Sequence, residues 1–454
     1  MTDRKEHYRM MTETPVEKLI IRLSVPTIIS MLVSSIYNMA DTYFVSQLGT
    51  SASAAVGIVF SLMAIMQAVG FTVGMGAGIL SARYLGAGKN DEANRTASSA
   101  FFLVIVLSLA ITVLGLLNLR SLMRFLGSTE TILPYAEAYG QYILLAAPVI
   151  CSSFVMNNLL RNEGKAAFAM IGITTGGILN IALDPIFIFG LGLGTAGAAI
   201  ATALSQSVSF LILLSMFVFR RSNLELGIRF ISKKASTYLS ILKTGLPSLS
   251  RQGLASIATM LLNVQAAVYG DYAVAAMSIS GRITFFMFAA LLGFGQGFQP
   301  VAGFNYGAGR FSRVRRATLF TAITGTAIIS VLSLFCFIFA RPLVSAFRKE
   351  DLDVIAAGST ALRYQSIALI LCGLCVATNM SYQATGHIAG ATYLALCRQG
   401  IYFIPLIVIL PYFFGLKGVQ LAQPLSDVLT FSTSLFFFIR LIRELGGKKD
   451  EMGL

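Results

Sequence analysis

The tetrapeptide Gly86-Ala87-Gly88-Lys89 returns as Gly307-Ala308-Gly309-Arg310, 221 positions later in the chain. The same interval separates other paired residues: Pro26 and Pro247, Gly49 and Gly270, Gly74 and Gly295, and Gly76 and Gly297. Towards the end of each half the interval grows by one residue, as between Asn157 and Asn379. An interval kept over so much sequence predicts two copies of one structural unit.

Composition places both copies in a membrane. Hydrophobic residues make up 56% of the chain and charged residues only 12%, whereas soluble domains carry about 25% charged residues. The net charge of +14 comes mainly from Lys and Arg in short segments beside apolar stretches, which indicates membrane orientation and not nucleic-acid binding. The five cysteines all fall in apolar stretches and predict no disulfide framework. A very apolar chain of two matching halves is typical of secondary transporters.

Twelve stretches are long and apolar enough to cross about 30 Å of hydrocarbon as helices. They are expected at 24–47, 54–82, 96–119, 133–160, 168–189, 196–219, 238–269, 273–304, 317–340, 360–384, 391–414 and 418–442. The sequence therefore predicts an all-α integral membrane protein with twelve transmembrane helices in two six-helix pseudo-repeat lobes. We expect a cytoplasmic N-terminal segment at 1–22, a first lobe at 23–219, a cytoplasmic linker at 220–237, a second lobe at 238–442 and a cytoplasmic C-terminal tail at 443–454.

The distribution of basic residues predicts the orientation. The N-terminal segment, the even-numbered connections and the C-terminal tail hold 24 of the 34 Lys and Arg residues. Because cytoplasmic loops are enriched in Lys and Arg, both termini are expected on the cytoplasmic side of the plasma membrane. Each half has an even number of spans, so the two lobes form a parallel and not an inverted repeat.

Acidic residues inside the predicted spans are the main functional signal. Asp41, Asp184 and Asp427 are the three, and an acid within a membrane span by default faces a cavity or a partner. The repeat does not keep the first two, since Leu262 and Leu406 occupy their equivalent positions. We therefore expect ion chemistry in the first lobe only. For Asp427, in the twelfth span, a structural ion pair with Arg251 or Arg398 is the preferred interpretation, and a second ion or substrate site is the alternative.

Helix length places several polar groups of the first lobe at one depth. At 1.5 Å per residue, Asp41 and Asp184 each lie about 22–24 Å along an outward-running helix, in the outer half of the bilayer. Thr202 and Tyr139 are close to the outer ends of their helices, and Asn180 is one turn before Asp184 on the same face. Such oxygen ligands suit a small cation. Two nearby carboxylates could instead share and release a proton, or serve only to join helices.

These residues resemble those of the multidrug and toxic compound extrusion (MATE) transporters. The segments Ile36–Gly49 and Asn180–Thr202 resemble the first helix and the fifth and sixth helices of that family, and the likeness runs from about Pro15 to Glu444. Acids in the first lobe are similar to the DinF-type branch. The NorM-type branch instead has key acids in the seventh and tenth helices, where this chain has none. The resemblance implies a cation or proton site at Asp41, Asn180, Asp184 and Thr202, and a substrate cavity lined by Tyr37, Tyr139 and Asn157.

The expected function is an antiporter that exports organic cations or amphipathic drugs in exchange for Na⁺ or H⁺. Two lobes around a V-shaped central cavity would open to one side at a time, with a hinge at Pro26, although that proline could equally mark a helix start. A lipid-linked saccharide flippase of the same superfamily is the first alternative. An integral membrane enzyme is less favoured, because the only histidines, His7 and His387, fall in the N-terminal segment and a loop. We expect a monomer in the lipid bilayer that binds small molecules, with no cofactor besides the coupling ion and no nucleic-acid partner.

Overall fold

A computed structural model describes residues 2–348 and 351–450, and almost all of them are helical. The helices of the first half are α1 (Thr2–Glu13), α2 (Val16–Ser46), α3 (Thr50–Gly86), α4 (Asn90–Leu117), α5 (Leu119–Phe125), α6 (Leu133–Asn162), α7 (Ala166–Pro185) and α8 (Gly194–Val218). Those of the second half are α9 (Ala235–Ala267), α10 (Asp271–Gly307), α11 (Phe311–Ile338), α12 (Ala340–Ser345), α13 (Leu352–Leu369), α14 (Cys372–Thr385), α15 (Ile388–Leu396), α16 (Phe403–Phe414) and α17 (Leu416–Gly447).

Each of the twelve predicted spans coincides with one of these helices or with a broken pair of them. In the described part of the chain, ten helices are long and apolar enough to cross a membrane without a sharp bend. The tenth predicted span is the pair α13 and α14, which bends by 52°. The seventh is α9, whose 33 residues are long enough but less apolar, since they include Lys243 and Arg251. The all-α fold with two six-helix halves is confirmed.

The ends of the chain differ in detail from the prediction. The N-terminal segment expected at 1–22 is largely helical, because α1 occupies Thr2–Glu13 and the first long helix already begins at Val16. At the other end, α17 continues to Gly447, so the tail expected from residue 443 begins inside a helix. Its last four residues lie outside the described residues. These extensions consist of polar helical turns, which a hydropathy criterion does not register.

Two compact units divide the described chain, and their boundaries fall inside helices. Unit 1 contains Ile29–Gly245, and unit 2 contains Lys5–Ile28 together with the chain from Leu246 onward. The first part of α2 therefore belongs to unit 2, and the first part of α9 belongs to unit 1. The lobes expected at 23–219 and 238–442 differ from the units in this exchange of helix beginnings.

Close helix crossings account for the exchange. In unit 1, a Cβ on Gly76 of α3 would overlap the carbonyl oxygen of Ile241, and a Cβ on Gly245 would overlap that of Thr72. The two backbones can therefore touch only because both positions are glycine. The equivalent crossing in unit 2 brings Gly293 and Gly297 of α10 against the backbone of residues 24–28 in α2. There, the Ser24 hydroxyl also donates a hydrogen bond of 3.0 Å to the Phe294 carbonyl.

The connection expected to be a cytoplasmic linker, 220–237, is held against unit 1. Side chains of α4 accept hydrogen bonds from its backbone amides: Asn94 from Glu225, Ser98 from Gly227 and Ser99 from Ser232. A second attachment is made by the carboxylate of Glu163, just after α6.

Glu163 is almost fully buried and binds the start of this connection. Its Oε2 accepts hydrogen bonds from the Ser222 hydroxyl at 2.9 Å, the Asn223 amide at 2.9 Å and the Leu224 amide at 3.3 Å. Burial raises the pKa of Glu163 to about 7, although Lys165 and these donors act in the opposite direction. The linker is thus a fixed surface of unit 1 whose attachment includes a carboxyl group that titrates near neutral pH.

Candidate ion-binding site

Four helices of unit 1 bring the predicted site residues together. Asp41 lies near the end of α2, Asp184 near the end of α7, Thr202 in the first turns of α8 and Tyr139 in the first turns of α6. Each of these four side chains is buried, with at most 4% of its surface exposed. The helices run so that these ends lie close together within unit 1.

Asn180 links two of these helices. Its Nδ2 donates to Oδ1 of Asp184 at 3.1 Å, one turn further along α7, and to the Thr202 hydroxyl of α8 at 3.3 Å. Gly176 and Gly177 precede it on α7. Gly176 allows α8 to approach closely, with Ser209 and the Ser205 carbonyl against it. The Tyr37 ring of α2 packs on Gly177, which holds α2 beside the cluster.

Several buried oxygens of this cluster have no hydrogen-bond partner among the described residues. They are Asp41 Oδ1, Asp184 Oδ2 and Asn180 Oδ1. The side chains of Asp41 and Asp184 are close enough to interact electrostatically with each other, and both also interact electrostatically with Tyr139. Buried polar atoms without a partner cost about 1–3 kcal/mol each, so three of them in one place require an explanation.

The donor set fits a small cation. Two carboxylates, an amide oxygen and hydroxyl groups are hard oxygen ligands, which Na⁺ shares with other hard cations. The same pair of carboxylates can hold a proton between them, which would satisfy one unpaired oxygen of each. The side chains that would hold Na⁺ are Asp41, Asn180, Asp184 and Thr202, and Tyr139 adds an oxygen that the sequence had assigned to the substrate cavity.

Pro185 changes the helix directly beside the cluster. It lacks an N–H, and after it the chain forms a π-helical turn, Ile186–Gly190, in place of further α-helix. The start of α8 touches this turn at Gly197, where a Cβ would meet the backbone of Phe187 at 2.5 Å. π-helical turns within α-helices are often found at functional sites. Asp184 thus sits where the backbone of its helix departs from regular geometry.

Asn157 is not part of this cluster. It lies 18 residues after Tyr139 on α6, or about 27 Å further along the helix axis. Its Nδ2 donates to the carbonyl of Ala169 at 3.0 Å, which ties α6 to α7. The repeat-related Asn379 makes the same bond to Ala391 at 2.7 Å in unit 2. The expected place of Asn157 in a substrate cavity therefore gains no support from the geometry, and the shared bond indicates a structural role.

Asp427 in unit 2 forms an ion pair with Arg398, which is the interpretation that the sequence favoured. Arg398 Nε donates to Asp427 Oδ1 at 2.8 Å and its Nη2 donates to Oδ2 at 3.3 Å. Gln423 Nε2 adds a bond of 2.8 Å to Oδ1. Of the two arginines that the sequence offered as partners, Arg398 is the one that binds. Arg251 lines a pocket of unit 2 and has no acidic partner among the described residues.

Three features of the structure were not predicted from the sequence. The π-helical turn after Pro185 could have been suspected from the proline alone. The Gln423–Asp427 bond follows the i, i+4 spacing on α17, which a search for polar pairs in spans would find. The burial of Glu163 depends on the fold of a distant connection, and no local pattern predicts it.

Comparison with known proteins agrees with this structure. The profile of the MatE family matches residues 26–186 and again 247–409, once in each half of the chain. Two relatives are the multidrug export protein MepA of Staphylococcus saprophyticus, 26% identical over 98% of this chain and 97% of its own, and an FAD transporter of Shewanella oneidensis, 26% identical over 91% and 92%.

A solved structure has the same architecture. It is a MOP superfamily transporter from Pyrococcus furiosus, which matches with a TM-score of 0.90 and 30% identity over 96% of this chain and 98% of its own. The long apolar helices, the twofold profile match and the full-length structural similarity lead to one conclusion. The chain belongs to the MatE family and is a membrane transporter, not an enzyme.

Proposed function

We propose that this protein is a multidrug exporter that moves organic cations and other amphipathic compounds out of the cell in exchange for Na⁺ or H⁺. The coupling ion binds at Asp41, Asn180, Asp184 and Thr202 of unit 1. The protein resides in the plasma membrane with both termini in the cytoplasm. The names of the relatives differ in cargo, so the cargo class is argued from the site.

One observation carries the proposal: in unit 1, the buried carboxylates of Asp41 and Asp184 each keep one oxygen without a hydrogen-bond partner among the described residues, and so does the amide oxygen of Asn180. A bound cation would satisfy these oxygens, and a shared proton would satisfy those of the two carboxylates. Departure of either would leave two acids close together in a buried site. A coupling ion must shift the equilibrium between two conformations, and the energy difference between the occupied and the empty site can do so. The acidic character of the cluster also favours cationic cargo, since cargo and ion can then compete for the same charges.

Pro26 is proposed as the point at which α2 bends when the ion binds. The helix leaves unit 2 and enters unit 1 between Ile28 and Ile29, two residues after this proline. Proline removes one helical hydrogen bond and makes a bend cheaper there than elsewhere in α2. Because Asp41 lies on the same helix, ion binding at its end and bending near its start are mechanically linked. This supports alternating access as the transport mode and the DinF-type branch as the closest pattern.

The test is ethidium export from proteoliposomes under a Na⁺ gradient or a proton gradient, each imposed alone. We expect one gradient to drive export in the wild type. Asp41→Asn, Asp184→Asn and the double variant should abolish the gradient dependence. Asp271→Asn is the matched control, because Asp271 is an exposed acid at the start of α10.

Two results would contradict the proposal. Gradient-driven export retained by the double variant would remove the acids from coupling. If no cationic dye is exported under either gradient, the cargo assignment fails, and translocation of labelled lipid-linked saccharide becomes the next measurement.

A further inference from the structure

We propose that a pocket inside unit 2 binds small aromatic carboxylates through Arg251. The pocket has a volume of about 190 Å³ and is lined by residues of α9, α10, α14, α15, α17 and the π-helical turn Cys397–Ile401. All its lining residues belong to unit 2, so it is separate from the acid cluster of unit 1. This inference does not depend on the coupling ion or the transport mode proposed above.

Arg251 provides the positive charge. It lies on α9, partly buried, and among the described residues it has neither an acidic partner nor a hydrogen bond. A charged side chain within a membrane span is unfavourable and normally faces a partner or a water-filled cavity. Since the protein side of the pocket offers no anion to Arg251, the structure leaves that role to a ligand.

Arg398 does not add a second unpaired charge to the pocket. It also lines the pocket, but its guanidinium is already committed to Asp427, and Asp427 is only 2% exposed. The pair carries no net charge, so the pocket keeps the single positive charge of Arg251. One free guanidinium matches one carboxylate, with which it can form two parallel charge-assisted hydrogen bonds.

The remaining lining defines the body of the ligand. Phe285 and Phe288 of α10 contribute aromatic surface, and the Arg398 guanidinium lies 4.1 Å from the centroid of the Phe288 ring. A cavity of about 150 Å³ accommodates benzene, so the volume here suits one aromatic ring with its charged substituent. The polar side chains of Gln252 and Ser434 also line the pocket. The amide of Gln252 and the hydroxyl of Ser434 can donate further hydrogen bonds to the oxygens of a bound carboxylate.

The test is ¹⁹F NMR titration of detergent-purified protein with 4-fluorobenzoate, 4-fluorobenzamide and 4-fluorobenzylammonium. These probes share a ring and differ in charge, and no ion gradient is needed. We expect the wild type to bind the carboxylate at least about tenfold more tightly than the amide, because a hydrogen bond between two charged groups is stronger than one to a neutral amide. Arg251→Gln should remove this preference, and Arg251→Lys should keep part of it. Arg282→Gln is the control, because Arg282 is exposed and outside the pocket.

Each outcome decides the matter. Loss of the carboxylate preference in Arg251→Gln, with Arg282→Gln unchanged, supports the site. Equal binding of carboxylate and amide by the wild type overturns it, and this comparison needs no variant to fold. Unchanged carboxylate affinity in a monodisperse Arg251→Gln variant also overturns it. Failure of gradient-driven export would leave this result untouched, since the titration measures binding alone.

Discussion

The carboxamide nitrogen of Asn180 lies 3.1 Å from Oδ1 of Asp184, one helical turn further on, and the same nitrogen reaches Thr202 on the next helix. This contact restrains the orientation of the Asp184 carboxylate, whose second oxygen has no partner among the described residues. Asn180 is therefore expected to position the acid and also to offer its own amide oxygen.

Asn180→Ala should weaken ion binding more than it weakens the fold. We expect the Na⁺ or H⁺ concentration for half-maximal export to rise about tenfold, the equivalent of about 1.4 kcal/mol. Proteoliposome export at graded ion concentrations measures this shift. Asn157→Ala is the control, since it removes a bond between α6 and α7. It should cost about 1–3 kcal/mol of stability and leave the ion dependence unchanged. Equal shifts in both variants would contradict the distinction.

Gly245→Ala should destabilise the protein severely. Its Cβ would overlap the Thr72 carbonyl, and backbone cannot move aside as a flexible side chain can. We expect a loss of about 3 kcal/mol or more, at the upper end of overpacking effects. Gly253→Ala on the same helix meets nothing within 4 Å and should be neutral or stabilising by up to about 1 kcal/mol. A thiol-reactive dye assay of thermal unfolding suits the measurement, because all five cysteines are buried. Similar melting temperatures for both variants would argue against the crossing.

The attachment of the 220–237 connection should loosen as pH rises. The pKa of Glu163 is about 7 in the fold, above its ordinary value of 4.5, because burial disfavours the carboxylate. The neutral acid is thus the form that the fold favours. The contribution of Glu163 to the free energy of unfolding is fully present below about pH 4.5 and is lost as the pH rises through about 7. The loss is at most about 3 kcal/mol.

Hydrogen exchange of the amides of residues 222–227 between pH 5 and pH 8 would show this loss, after correction for intrinsic rates. Glu163→Gln keeps an oxygen acceptor and cannot ionise, so its protection should not vary with pH. If the wild type shows the same flat profile as Glu163→Gln, the carboxyl group does not control the attachment.

Asp427→Asn should leave Arg398 with an uncompensated buried charge. Removing one member of a buried ion pair costs about 3–5 kcal/mol, whereas removing both charges often costs little. We therefore expect Asp427→Asn to lower the unfolding temperature strongly and the double variant Asp427→Asn with Arg398→Gln to recover most of the loss. A double variant as unstable as the single one would mean that Asp427 is needed for some other reason.

Much of the fold could be predicted from hydropathy and the repeat. Length and apolarity predicted α9 as a span although Lys243 and Arg251 lower its hydropathy, and they predicted the bent pair α13 and α14 as one stretch. The shared level of Asp41 and Asp184 followed from counting 1.5 Å per residue along straight helices. These inferences succeed because length and apolarity are properties of single helices.

Other features depend on which helices meet, and no single stretch contains that information. The exchange of the beginnings of α2 and α9 between units rests on glycines that face particular backbones, and the sequence shows only that small residues are present. Asn157 is a polar residue in a span, like Asn180. Only the position of Ala169 on the neighbouring helix separates a structural amide from one that belongs to a site.

The exchanged helix beginnings bear on how the chain is built during synthesis. Unit 1 cannot close its crossing at Gly76 until residues 241–245 have been made, although its other helices are already complete. Residues 24–28 are among the first to enter the membrane, but they cannot make their native contacts with Gly293 and Gly297 until α10 has been synthesised. Neither half of the gene product is therefore a self-sufficient folding unit. A chain cut in the 220–237 connection should mature only when both fragments are produced together in the same membrane.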